Sequence, residues 1–118
     1  MMKKSLPIVL AIVLLLSAVA HLLSPEFYAP MIPGFIPVSL ANLLATITEL
    51  TTALLLFFPQ YRKWGGLAFM FLMFAFLPLH IWDMFREDPV VGPQPLTSIR
   101  LFFQFVFIYV GWWIYKKY

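Results

Sequence analysis

Residues 39–58 read SLANLLATITELTTALLLFF. An α-helix of that length is about 30 Å long, the thickness of the hydrocarbon core of a bilayer. The stretch is apolar around its whole circumference apart from a few Thr, one Asn and a single charge, Glu49. A helix of this kind needs lipid as its solvent, provided its backbone hydrogen bonds close internally. Ser39 is expected to serve as its N-cap and Pro59 to end it.

Three further runs meet the same length test, over residues 6–23, 64–82 and 98–115. Pro7 falls in the first turn of its helix, where a missing N–H costs little. Across all 118 residues the composition is 63% hydrophobic and 11% charged, far from the soluble balance of roughly 45–50% apolar and 25% charged. The expected fold is all-α: one domain, residues 1–118, forming a four-helix transmembrane bundle.

Net charge is +3, but the basic residues come in doublets at helix ends rather than along a polar face. They read as orientation signals, not as a nucleic-acid footprint. Six of them (Lys3, Lys4, Arg62, Lys63, Lys116, Lys117) fall on one side and two (Arg86, Arg100) near the other. The positive-inside rule then puts both termini in the cytoplasm of a multi-pass cell-membrane protein. Trp64, Trp82, Trp112, Trp113 and Tyr115 suit interfacial belts. A rival reading takes Lys3-Lys4, the first apolar run and Ala18-Val19-Ala20 as a cleaved secretory signal. Against it, the run continues through Leu22-Leu23 to spanning length.

The first outer connection, residues 24–38, carries four prolines among Phe27, Tyr28, Met31, Ile32, Phe35 and Ile36. Those prolines argue against any regular helix there, and the apolar content suggests a cap lying over the bundle. The second, residues 83–97, is charged and reads as an exposed turn region holding Asp83, Glu87 and Asp88.

Polar groups within spanning segments mark the places to look for function, since a central charge costs about 2.5–3.5 kcal/mol. Glu49 lies about 15 Å into its helix, close to the midplane. Asn42, Thr46 and Glu49 share one face; Arg100 and Gln104 form a second stripe, four apart. His21 and His80 sit near the outer ends of the first and third helices. Side chains lean toward their helix's N-terminus, so Glu49, Arg100, Gln104, Asn42, His21 and His80 are candidates to converge in the outer half as a ligand site.

Each has a plainer reading. Asn42, Thr46 and Gln104 suit interhelical hydrogen bonding, with Ala41 and Ala45 offering the small-residue spacing of close packing. Arg100 can snorkel to the interface, and the histidines can bond loop carbonyls. The Phe and Met residues of the third helix are packing or lipid contacts. Glu49 is protonated if unpaired and ionised if it faces Arg100 or a bound cation. No metal site is expected, and two histidines on different helices make a weak case for haem. The absence of cysteine removes disulfides, thiolate nucleophiles and dithiol exchange.

The chain resembles the DoxX-like family of small four-helix membrane proteins. The resemblance runs along nearly its whole length. It rests on His21 followed by SPEFYAPMIPGFIP, on TITEL with Glu49, on the PQYRKWGG turn at residues 59–66, on PLHIWDMF from Pro78, and on IRLFFQ with Arg100 and Gln104. A glycine that the family often places ahead of the glutamate is replaced here by the region of Thr46 and Ile47. The resemblance implies an auxiliary subunit, not catalytic on its own, of a membrane oxidoreductase system. It also implies quinone, or another small amphipathic molecule, as the candidate ligand. Membrane lipid, an oxidoreductase protein and a second copy of the chain are candidate partners; nucleic acid is not. Some relatives instead assist receptor assembly, which keeps open a non-catalytic assembly protein whose polar groups only hold helices together.

Overall fold

A computed structural model describes residues 2–86 and 95–118. Those residues form helices and turns and contain no strand: α1 (Met2–Leu23), a short α2 (Pro25–Tyr28), α3 (Val38–Phe57), α4 (Arg62–Met84) and α5 (Leu96–Lys117). Single 3-10 turns follow at Ala29–Met31 and Pro59–Tyr61. The four long helices are each long and apolar enough to cross a membrane.

The helices run alternately up and down. His21 at the end of α1 meets Asn42 at the start of α3. Gly65 at the start of α4 lies against Leu56 at the end of α3, and Gly66 lies against Ile114 at the end of α5. The start of α1 and the end of α5 therefore share one end of the bundle, called here the terminal end. The turns around α2 occupy the other, the cap end. The tightest pairings are α4 with α5 and α1 with α3, joined by α3 against α4.

Ala11, Leu14, Ala53, Leu56, Phe69, Met73 and Ile114 make the apolar core. Most other large apolar side chains are exposed, among them Leu16, Leu43, Phe71 and Phe102. An outward face of that kind is stable in lipid, not in water. Of the third span's aromatic and Met residues, Phe69 and Met73 are core while Phe71 and Phe74 face outward.

Close approach comes from glycine. A Cβ on Gly111 would lie 2.7 Å from Met70 N and 2.8 Å from Gly66 O, so the backbones of α4 and α5 touch there. Ala41 and Ala45, expected to give close packing, instead line a cavity.

Arg62 behaves differently from a loop charge. It is buried, and its guanidinium donates to the carbonyls of Leu56 (2.9 Å) and Phe57 (3.0 Å), capping the end of α3. This satisfies carbonyls that have no intrahelical partner and sets a cation at the negative end of the helix dipole. Cations and rings also pair at both ends of the bundle. Lys63 lies over Tyr115 and Lys116 over Trp112 at the terminal end, and Arg86 lies over Trp82 at the cap end.

Several boundaries differ from the sequence reading. α1 starts at Met2, because Lys3, Lys4 and Ser5 do nothing to break a helix. α3 opens on Val38 after Pro37, so Ser39 lies in the first turn and is not the N-cap. Asp83 is in the last turn of α4 and 1% exposed, not in an exposed connection. Its partner Arg86, 3.7 Å away, allows that burial. Residues 24–38 do hold a regular turn of helix, α2, with Pro25 at its start, where proline is tolerated. Glu87 and Asp88 lie outside the described residues.

Candidate functional site

A cavity of about 270 Å³ opens at the cap end between α1, α3, α4 and α5. With about 30 Å³ per water in the liquid, that is room for roughly nine waters or a small headgroup. Five of the six candidate residues line it: His21, Asn42, Glu49, His80 and Arg100. Gln104 does not. It is wholly buried behind Arg100, with Oε1 accepting from Arg100 Nη1 (2.9 Å) and Nε2 donating to the Met73 carbonyl (2.6 Å). Gln104 thus ties α5 to α4 and holds Arg100 along the helix rather than out toward the interface.

The α1–α3 side of the cavity is a connected network. Asn42 donates through Nδ2 to the Val38 carbonyl at 3.0 Å, which leaves Oδ1 as the acceptor facing His21 Nδ1 at 2.8 Å. That assigns the proton of the imidazole to Nδ1. His21 Nε2 then faces Glu49 Oε1 at 3.6 Å. Two lone-pair atoms facing each other in a buried site repel, so one proton belongs between them. The pair is either imidazolium with carboxylate or imidazole with carboxylic acid. Both forms are neutral overall. Glu49 is 4% exposed, and its partner is His21, not Arg100.

Thr46 donates to the Asn42 carbonyl at 2.8 Å, bonding within its own helix. Tyr28 of α2 stacks on the His21 ring with centroids 3.7 Å apart. Tyr28, Met31 and Ile32 form an apolar wall from the proline-rich segment, and Phe76 and Leu79 form another from α4. Arg86 donates to the Pro30 carbonyl at 2.7 Å, anchoring that segment to the end of α4. Glu49 Oε2 and His80 Nδ1 are buried without a hydrogen-bond partner. Native proteins rarely leave such atoms unsatisfied.

Two contributors escaped the sequence reading. Ser17 lines the cavity beside Glu49; its place four residues before His21, on the same face of α1, was the available signal. Tyr28 reads in the sequence as one apolar residue of a cap.

Residues 10–115 match the family described as Domain of unknown function (DUF8561). The chain belongs to that family. The match takes in every cavity residue named above, so the site lies within the DUF8561 domain rather than in an appendage to it. No curated protein and no solved structure matches the DUF8561 chain.

Proposed function

We propose that this DUF8561 protein is a membrane-embedded binding subunit of the DoxX-like type. It holds a small amphipathic molecule, quinone-like in its combination of polar head and apolar body, in the cap-end cavity. One observation carries the reading: ionisable groups from four helices surround a single small cavity whose remaining walls, Ser17 and Asn42 apart, are largely apolar. That is the general form of a ligand site, mostly apolar with a few placed polar groups. Ionisable side chains inside spanning segments otherwise carry a heavy cost. The candidate contacts are Glu49, Arg100, His21, His80 and Asn42, with Gln104 positioning Arg100.

The positive-inside count argues for both termini in the cytoplasm, which puts the cavity in the outer half of the bilayer beneath the proline-rich segment. Retention of α1 is part of the proposal, since Ala11 and Leu14 belong to the core and His21 to the site. A role beside a membrane oxidoreductase follows from the DoxX-like resemblance.

A second reading has its own support. The donors of Gln104 and Arg62 are engaged by carbonyls of the chain itself, as expected of a protein whose polar groups serve assembly. Mild-detergent purification followed by an absorption spectrum, solvent extraction and identification of co-purifying proteins separates the two. A stoichiometric amphiphile supports the binding reading. Its absence, with a co-purifying membrane protein lost in Gln104→Leu, supports the assembly reading.

A further inference from the structure

We infer that the ligand of the cavity is an acidic amphiphile, one anionic headgroup on an apolar chain, whose oxyanion is taken by Arg100. This rests on the binding reading above and narrows it. The described elements around the cap end bring charges that nearly cancel. α1 and α3 bring His21 and Glu49, 3.6 Å apart, which as imidazolium with carboxylate or imidazole with carboxylic acid are neutral as a pair. α2 brings Tyr28 to the cavity wall, and its Glu26 is exposed. α4 brings His80, together with Asp83 and Arg86, which are ion-paired. α5 brings Arg100. Among the described residues, the guanidinium of Arg100 is left as one positive charge with no carboxylate against it.

The partners that Arg100 does have are neutral. One of its five N–H donors goes to Gln104 Oε1, and its guanidinium carbon lies 5.7 Å from the Phe107 ring centroid. A half-buried guanidinium with donors to spare, at the edge of a small cavity, matches the forked geometry of a carboxylate or phosphate oxyanion. Gln104 fixes the guanidinium from behind, so little ordering remains to be done on binding. His80, on the same cavity, is a second candidate donor to the headgroup. The chain of the ligand has Tyr28, Met31, Ile32 and Leu79 to lie against.

The test uses the full chain, delipidated in a non-ionic detergent, with calorimetric titration of four probes sharing a ten-carbon chain: decanoate, decyl phosphate, decanol and decylubiquinone. The expected result is that decanoate or decyl phosphate binds at least about 10-fold more tightly than decanol, in keeping with a charge-assisted bond. Preference between the two anions tells a fatty-acid type from a phosphate-headed one. Arg100→Ala is expected to weaken the anion by about 10- to 100-fold, and Arg100→Lys to recover part of that loss. Circular dichroism checks that the helices persist; if Arg100→Ala fails to fold, Arg100→Lys and the decanol comparison still decide. Binding of decanol as tight as that of both anions, or unchanged anion affinity in the Arg100 variants, overturns the inference. Binding of decylubiquinone alone overturns it while leaving the amphiphile reading standing, and silence from all four probes overturns both.

Discussion

Gly111→Leu places a side chain where two helices touch. A Cβ at this position would sit 2.7 Å from Met70 N, 2.8 Å from Gly66 O and 2.9 Å from Met70 Cα. Non-bonded contacts are optimal at about 3.5–4.0 Å, so the new carbon is too close by roughly 0.8 Å. All three neighbours are backbone atoms of α4, which cannot rotate aside. α5 must therefore lift away, and a gap of about 0.5–1 Å forfeits about a quarter to a half of the attraction at each contact along the seam. Overpacking costs about 1–3 kcal/mol, and the larger Leu belongs at the upper end. The better helix propensity of Leu returns less than about 1 kcal/mol. The net expectation is a loss of about 2 kcal/mol, a shift of roughly 30-fold in the unfolding equilibrium. Titration of the purified protein from mild detergent into sodium dodecyl sulfate, followed by far-ultraviolet circular dichroism, measures it. Gly34→Ala is the control: nothing lies within 4 Å of that position, and a change within about 0.5 kcal/mol is expected. Gly111→Leu matching wild type within that margin would refute the proposed α4–α5 contact.

Arg62→Ala should destabilise the protein by about 1.5–3 kcal/mol in the same titration, because two carbonyls at the end of α3 lose a charged donor. Arg62→Lys should recover little, since an ammonium cannot reproduce the fork; full recovery would mean that charge alone matters. Gln104→Leu should lose about 0.6–1.7 kcal/mol, the range from the average to the maximum for an interhelical bond within a membrane. A neutral result would show that Gln104 does not tie α5 to α4. Because the chain has no cysteine, single replacements report orientation directly. In intact cells Gly34→Cys should react with a membrane-impermeant maleimide and Lys116→Cys only after permeabilisation. The reverse pattern would invert the topology.

The spanning helices were legible because a run of apolar residues long enough for a bilayer is a local property of the chain. The ends were less so. Whether Asp83 continues α4 depends on what it meets. Asp83 is helical and buried beside Arg86 three residues later, and a tally of charges in connections has no means of showing that pairing. At the candidate site, the lean of side chains toward helix N-termini indicated which polar groups share one end of the bundle. It could not reveal partners. The choice of His21 over Arg100 for Glu49 depends on α1 lying against α3 while Arg100 is drawn along α5 by Gln104. The alanine spacing at Ala41 and Ala45 suggested a helix contact; the same small side chains leave the space that the cavity occupies.

The proposed function stands or falls on whether the cap-end cavity holds an amphipathic molecule. Ala45→Phe tests it most directly, because Ala45 lines the cavity and the substitution fills space without removing any polar group of the site. Native mass spectrometry of wild type and variant, purified side by side in mild detergent, should show a bound small amphiphile on the wild type and none on Ala45→Phe, with equal helicity in both. An equal complement of bound molecules on the two proteins would contradict the claim.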